Sequence, residues 1–263
     1  MPAPPTSQPP DTYFLQLSRL VLVSFEQLVG PPLQPDRALA AKHLMGQIGR
    51  LSAAGAVLVV ILMVGFDTTE IGLMPPRGTP SLWPFRILTD FGNDAYVLWL
   101  LAVALVVIAL VCAGLKGKSR ARWLSLGTQV EYLFFAVLFP VLITEIVKWT
   151  AGRGRPFVGG KANPFNFVPF AGTEAYFSFP SAHAVTSFAL AFAVASVWPR
   201  ARGAMFVYAI LILATRLVLL AHHPSDVVAG AVIGVAGAMA VRYWFAVRGL
   251  GFAVHANGEI VPV

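Results

Sequence analysis

The sequence contains little charge and almost no cysteine. Only 12% of its 263 residues are Asp, Glu, Lys or Arg, and 57% are hydrophobic, whereas an ordinary soluble domain has about 25% charged residues. This deficit excludes an ordinary soluble domain and indicates an integral membrane protein. The lone Cys112 lies in an apolar run, so an intrachain disulfide is excluded and the residue is interpreted as a small buried apolar side chain.

Acidic residues are scarcer than basic ones, with 12 Asp and Glu against 19 Lys and Arg and a net charge of +7. No clustering of Asp, Glu and His suggests a metal site, and we predict neither a metal nor a cofactor. In a soluble protein this basic surplus would raise nucleic acid as a partner, but no basic stripe or recognition motif accompanies it. The basic residues instead lie in short loops between apolar runs, which is typical of membrane topology.

The amino-terminal region divides into a polar tail and an amphipathic segment. Residues 1–12 are rich in Pro, Ser and Thr, which predicts disorder. Residues 13–29 predict an amphipathic helix that lies at the membrane surface, although a short first span is the alternative. Its apolar face would consist of Phe14, Leu17, Val21, Phe25 and Leu28.

Six longer apolar segments follow and predict an all-α bundle of six membrane-spanning helices. The fourth segment is short for a span unless its polar end is buried in protein. We therefore expect a tail and interfacial helix over 1–49, a six-span membrane domain over 50–248 and a cytoplasmic tail over 249–263. The predicted spans are residues 50–66, 95–115, 126–148, 183–198, 203–221 and 227–246.

The distribution of basic residues in the short loops predicts the orientation of the bundle. One side carries twelve basic residues outside the motifs described below, and the opposite side carries Arg77 and Arg86. Since cytoplasmic loops are enriched in Lys and Arg, both termini are expected in the cytoplasm and Arg77 and Arg86 outside it. The twelve are Arg19, Arg37, Lys42, Arg50, Lys116, Lys118, Arg120, Arg122, Arg200, Arg202, Arg242 and Arg248.

The first of three polar motifs lies at the end of the third apolar segment. Lys148 is followed seven residues later by Arg155 and then Pro156. A basic residue at a helix end commonly extends to the interface, and Lys-x6-Arg-Pro alone is a weak signal. This end, however, belongs to the side on which basic residues are otherwise scarce. Glu145, three residues before Lys148, shares its helical face and is predicted to pair with it.

The second motif, residues 180–183, precedes the fourth apolar segment. Pro followed by Ser181 is typical of a helix start, and Ser181 is predicted to be its N-cap. The first amides of a helix bind anions favourably, so this turn can hold a phosphate. His183, taken alone, could equally be an ordinary interfacial histidine.

The third motif contains Arg216, His222 and Asp226, near the outer end of the fifth segment. An arginine within a span is costly and therefore indicates a function. Asp226 is expected to cap the last helix, and it can also hold the imidazole of His222 in one tautomer. His223 is interpreted as a bystander.

Together the motifs supply what phosphoryl transfer requires at one membrane face. The cations are Lys148, Arg155 and Arg216. Ser181 and helix-start amides would donate hydrogen bonds, and two histidines could serve as nucleophile and acid.

The three motifs, in this order, resemble the type 2 phosphatidic acid phosphatase family, also called the lipid phosphate phosphatases. The family pattern is Lys-x6-Arg-Pro, then Pro-Ser-Gly-His, then Ser-Arg-x5-His-x3-Asp. Residues 148–226 match it except that Ala182 replaces Gly and Thr215 replaces Ser. The resemblance implies a metal-independent membrane phosphatase that acts on a lipid phosphate or lipid pyrophosphate.

The resemblance also implies a role for each motif residue. His222 would be the nucleophile and form a phosphohistidine, Asp226 would orient it, and His183 would protonate the leaving group. The phosphate would be bound by Lys148, Arg155, Ser181, Ala182 and Arg216.

Several alternatives stay open at this point. The resemblance implies lipid A 1-phosphate, undecaprenyl pyrophosphate, phosphatidylglycerol phosphate or phosphatidic acid as substrate, at the periplasmic face of a bacterial inner membrane. A phosphotransferase could pass the same phosphate from His222 to a second lipid. A non-catalytic membrane protein that only binds is the remaining alternative, against which the intact His183, His222 and Asp226 argue.

Overall fold

The computed structural model describes residues 13–34, 37–160 and 162–263, and the predicted disordered segment 1–12 lies outside them. The described chain is predominantly helical and ends in a small hairpin. Its helices are α1 Tyr13–Val29, α2 Arg37–Gly65, α3 Asp67–Leu73, α4 Trp83–Asp90, α5 Asp94–Gly114, α6 Gly117–Ala151, α7 Ala182–Val197, α8 Arg202–Val218 and α9 Pro224–Ala246, and its strands are β1 Phe252–Val254 and β2 Ile260–Pro262.

All six predicted apolar segments lie in helices, namely α2 and α5 to α9. Five stretches are long and apolar enough to cross a membrane: 37–65, 80–114, 117–151, 199–218 and 224–246. The exception is α7, whose 16 residues fall short of the roughly 20 that a span requires. Its buried face packs against α6, α8 and α9, so its polar start is enclosed by protein rather than lipid.

One predicted domain boundary differs from the structure, while the amphipathic helix has its predicted bounds. The helix α2 begins at Arg37, so the predicted domain boundary at residue 50 falls within one continuous helix. The helix α1 covers the predicted amphipathic segment and contacts α5, where the Tyr13 hydroxyl donates to the Leu110 carbonyl at 2.8 Å. None of the α1 residues is buried, and its place at the membrane surface stays a prediction.

The carboxy-terminal residues, predicted as a tail, fold back as an antiparallel hairpin that the all-α expectation lacked. Phe252 of β1 pairs with Pro262 of β2. The ring of Phe252 is buried and meets the ring of Tyr132 edge-on, with centroids 4.8 Å apart. Tyr132 belongs to α6, so the hairpin extends the apolar core at this end of the bundle.

Glycines in α9 allow its close approach to α7. A Cβ atom added at Gly234 would lie 2.4 Å from the Val185 carbonyl oxygen, and one at Gly230 would lie 2.5 Å from the Ser181 carbonyl oxygen. Small residues at such positions let the backbones of membrane helices pack directly. Because the contact at Gly230 is with the residue that begins α7, this packing also fixes the two helix starts against each other.

We predict that Gly234→Ala lowers the midpoint of thermal unfolding in detergent. The added methyl group would separate α7 from α9, at a cost of about 1–3 kcal/mol. Gly203→Ala is the matched control, because its Cβ would meet nothing within 4 Å and alanine favours a helix over glycine by up to about 1 kcal/mol. An unchanged midpoint for Gly234→Ala would show that the helix contact tolerates the methyl group.

Candidate active site

Four helix ends meet at one end of the bundle and bring the three motifs together. They are the last turns of α6 and α8 and the first turns of α7 and α9. Between them lies a cavity of about 370 Å³, which we call the histidine cavity. Its lining includes six predicted site residues, Lys148, Arg155, Ala182, His183, Arg216 and His222, together with Asn93, Asp94, Glu145, Glu174 and Phe177.

Two of the three predicted cations pair with carboxylates at the edge of this cavity. The Lys148 ammonium lies 2.6 Å from Glu145 Oε1, which confirms the predicted pair. The Arg155 guanidinium lies 2.8 Å from Glu174 Oε2, and the Glu174 side chain is 86% exposed. An exposed partner of this kind contributes little to stability, so Arg155 can exchange it for another anion.

The guanidinium group of Arg216 is positioned by the hydroxyl group of Thr89. Its Nη1 donates to Thr89 Oγ1 at 2.7 Å, and Thr215 Oγ1 lies 3.1 Å from the same oxygen. Thr89 belongs to α4, so this helix positions Arg216 at the end of α8. The Nε atom of Arg216 is buried without a hydrogen-bond partner, which leaves a donor available to a ligand.

Ser181 is the N-cap residue of α7 as predicted, but its side chain makes no capping bond. Its backbone N–H donates to the Asp226 carbonyl at 3.0 Å, while its Oγ is buried without a partner. The hydroxyl therefore remains available to an anion. Ala182 is the first residue of the helix, where the backbone conformation is one that alanine adopts as readily as glycine.

The imidazole of His222 is held in one tautomer by a backbone carbonyl. The His222 Nδ1 atom lies 2.7 Å from the Ser178 carbonyl oxygen. A carbonyl only accepts, so Nδ1 carries the proton and Nε2 keeps its lone pair. Burial lowers the pKa of His222 well below its usual range, and the charges of Arg216 and Arg155 lower it further. His222 is thus a neutral imidazole, and it lines the histidine cavity together with His183.

Asp226 does not hold His222 by the direct hydrogen bond that we expected. Its Oδ2 atom lies 3.9 Å from His222 Nδ1. It instead accepts from the Ser178 hydroxyl at 2.6 Å and from the His223 N–H at 2.9 Å. Ser178 therefore connects the two residues, because its hydroxyl binds Asp226 and its carbonyl binds His222. The bond from the His223 N–H forms part of a capping box at the start of α9. His223, interpreted as a bystander, is therefore the N-cap residue, and Asp226, predicted as the cap, is the third residue of the helix.

Arg153 is a central residue for which the sequence predicted no role. It is fully buried, and its guanidinium donates to Asp226 Oδ1, to Asp67 Oδ2 at 2.8 Å and to Ser225 Oγ at 2.7 Å. Two further bonds reach the Pro164 carbonyl. One cation thus joins two carboxylates. The only hint of this role in the sequence was that Arg153 lies two residues before Arg155 of the first motif.

Asp67 was also missed, although it directly follows the first apolar segment. It begins α3 and accepts from the Ser225 backbone N–H at 3.0 Å and from the Ser225 hydroxyl. Since Ser225 lies in the first turn of α9, Asp67 ties α3 to the same helix start that carries Asp226.

Glu70, one turn after Asp67, is buried, and neither of its carboxylate oxygens has a hydrogen-bond partner. Burial raises the pKa of Glu70 to about 7, and the charge of Asp67 adds to this rise. The group is outside the histidine cavity, so its protonation bears on stability rather than on the site.

Comparisons with known proteins point to one family. The profile of the PAP2 superfamily matches residues 129–250. The chain is 36% identical over 204 residues to a lipid A 1-phosphatase of Rhizobium johnstonii, covering 76% of this chain and 82% of that protein. It is 35% identical over 180 residues to a lipid A 1-phosphatase of Rhizobium etli, covering 67% and 75%. No solved structure matches the chain.

We predict that Arg153→Met is strongly destabilising. The change leaves Asp67 and Asp226 buried without their shared cation, which costs about 3–5 kcal/mol. Thermal unfolding of the detergent-solubilised protein measures the loss. Arg122→Met, at an exposed position of α6, is the control and should change the midpoint little. Equal midpoints for the two variants would contradict a structural role for Arg153.

We predict that stability falls as the pH rises from about 4.5 to about 7 because of Glu70. The folded state keeps the proton up to its raised pKa of about 7, whereas the unfolded state releases it near 4.5. Glu70→Gln should remove this dependence and be more stable than the parent at pH 8, by up to about 3 kcal/mol. Glu26→Gln on exposed α1 should leave it intact. Parallel curves for the parent and Glu70→Gln would disprove the assignment.

Proposed function

Because this chain belongs to the PAP2 superfamily, we propose that it is a membrane lipid phosphatase that works through a phosphohistidine. Family membership makes it a phosphoric monoester hydrolase. Its relatives from two Rhizobium species are named lipid A 1-phosphatase, and lipid A 1-phosphate is therefore the first substrate to test. The observation that carries the mechanism is the neutral His222, whose Nδ1 is bonded to the Ser178 carbonyl inside a cavity lined by cations.

In the first step, His222 Nε2 attacks the phosphorus atom and the bond from phosphorus to the lipid oxygen breaks. His183 donates a proton to that oxygen as it leaves. In the second step, His183 accepts a proton from a water molecule, which attacks the phosphohistidine. The bond from phosphorus to nitrogen breaks, inorganic phosphate leaves and His222 is neutral again.

The cavity stabilises the charge that the phosphoryl group carries through both steps. Lys148, Arg155 and Arg216 surround the position next to His222 and would bind the equatorial oxygens. The unpaired Ser181 hydroxyl and the first amides of α7, including that of Ala182, would add neutral donors. These groups supply the positive charge without a metal.

Asp226 supports the nucleophile electrostatically. Its carboxylate lies 3.9 Å from His222 Nδ1, close enough to stabilise the positive charge that develops on the imidazole as Nε2 attacks. Its bond to the Ser178 hydroxyl fixes the carbonyl that orients the ring. Asp226 thus acts through position and charge, and it does not exchange protons.

We place the histidine cavity at the periplasmic face of the bacterial inner membrane, with both termini in the cytoplasm. The loop between α6 and α7 carries exposed aromatic rings near this cavity, which suit the interface between lipid and water. They would guide the acyl chains of the substrate toward the helix ends. They are Phe157, Phe165, Phe167 and Phe170, with Trp149 at the end of α6.

We predict that His222→Ala abolishes phosphate release from lipid A 1-phosphate, with a fall in kcat/KM of at least about 10³-fold. The substitution removes the atom that forms the bond to phosphorus. It should also abolish the acid-labile phosphoenzyme that brief reaction with labelled substrate traps in the parent protein. His183→Ala should release phosphate about 10²–10⁴-fold more slowly.

His255→Ala is the matched control, since His255 is exposed in the hairpin, which lies beyond the far end of α9 from His222. It should retain the parental rate. Near-parental turnover by His222→Ala would overturn the assignment of the nucleophile. Absence of turnover by the parent on lipid A 1-phosphate, with turnover on another phosphorylated lipid, would redirect the substrate and leave the mechanism in place.

A further inference from the structure

A second cavity of about 300 Å³ adjoins the histidine cavity, and the proposed mechanism uses none of the residues that are particular to it. It shares Arg155 and Arg216 with the histidine cavity and adds Arg77 and Arg86. Four guanidinium groups therefore line it, and we call it the arginine cavity. The remaining lining residues are Gly78, Leu82, Leu219 and Ala221.

The two additional arginines have no ion-pair partner within 13–34, 37–160 and 162–263. Arg77 lies in the turn between α3 and α4, and Arg86 lies on α4. Asp90 follows Arg86 by one helical turn but makes no ion pair with it. Arg153 and Arg155 differ, because Arg153 binds two carboxylates and Arg155 binds Glu174. Arg77 and Arg86 thus carry positive charge that the described protein leaves unbalanced.

Basic side chains at this end of the bundle could simply extend toward lipid head groups. Because they converge on one cavity wall, they are also placed to bind an anion together. Burial is the main cause that lowers the pKa of Arg155, Glu174 raises it, and the charge of Arg77 lowers it further. Arg77 and Arg155 therefore repel each other across the cavity. The Nε atoms of Arg155 and Arg216 are also buried, and among the described residues they have no hydrogen-bond partner. A bound anion would offset the repulsion and could accept hydrogen bonds from these atoms.

We propose that the arginine cavity is a second phosphate subsite, which binds a phosphate group adjacent to the one being transferred. This inference rests on the proposed function of the histidine cavity. The two cavities share Arg155 and Arg216, so anions in them would contact the same two side chains. Such adjacent positions suit the two phosphates of a diphosphate head group, or a free phosphate beside the reacting one. Arginine binds phosphate through paired, charge-assisted hydrogen bonds.

Binding of inorganic pyrophosphate and inorganic phosphate by calorimetry tests this subsite without requiring turnover. The detergent-solubilised parent should bind pyrophosphate at least about 10-fold more tightly than phosphate. Arg77→Gln with Arg86→Gln should abolish that preference and change phosphate affinity less than about three-fold. Equal affinity of the parent for both anions, or an unchanged preference in the double variant, would overturn the proposal.

Arg200→Gln is the matched control, because Arg200 is exposed at the opposite end of the bundle. It removes one positive charge from the protein and should preserve the pyrophosphate preference. Loss of the preference in this variant would attribute the effect to net charge and contradict the subsite. Because the measurement is of binding, failure of the parent to hydrolyse a lipid would count against the proposed function alone.

Hydrolysis of a matched pair of substrates distinguishes the two sources of the second phosphate. The pair is a monophosphate and a diphosphate of the same isoprenoid alcohol. If the diphosphate head group occupies the subsite, the double variant should lose at least about 10-fold in kcat/KM on the diphosphate and less than about three-fold on the monophosphate. If a free anion occupies it, both rates should persist while inhibition by added pyrophosphate weakens. Equal losses on both substrates with unchanged inhibition would contradict both.

Discussion

The buried Arg153 guanidinium is the contact on which the rest of the site depends. It joins Asp67 at the start of α3 to Asp226 in the first turn of α9, and it also binds Ser225 and the Pro164 carbonyl. Removing three charged groups from water is costly, and the cost is tolerable here because nearly every donor and acceptor finds a partner. The helix starts and the long loop before α7 are therefore held in one arrangement by a single cation.

The position of His222 follows from this arrangement. With one Asp226 oxygen bound to Arg153, the other accepts from Ser178, whose carbonyl in turn accepts from the imidazole. Charge is thereby separated across the site. The carboxylates Asp67 and Asp226 lie behind the imidazole, where Arg153 binds both, while Arg155 and Arg216 line the histidine cavity in front. A phosphate that enters next to His222 can bind Arg155 and Arg216, and the developing imidazolium has a carboxylate behind it.

The helices and the motif residues could be predicted from the sequence, because apolar runs and short spacings are local properties. The predicted cations and both histidines line one cavity, and the six apolar segments lie in helices. Asp67 could not be predicted, because it meets Ser225 across 158 residues of chain and no local pattern records such a pairing. The role of Ser178 could not be predicted for another reason. Its contribution to His222 is made by a backbone carbonyl, which every residue type carries.

The arginine side chains around the site have different roles, which depend on how deeply each one is buried. Arg153 is enclosed with two carboxylates and can only be structural, since any ligand would have to displace an ion pair that burial strengthens. Arg155 is partly exposed and its partner Glu174 almost wholly so, so exchange of that partner for a phosphate costs little. Arg77 and Arg86 are exposed, and neither forms an ion pair with a residue that the structure describes. Only 12% of the residues in the chain are charged, yet several arginines lie together at one end of an apolar bundle. Their positive charge is most accessible to an anion at the outer edge, at Arg77 and Arg86. Behind His222, the charge of Arg153 is fully neutralised by carboxylates.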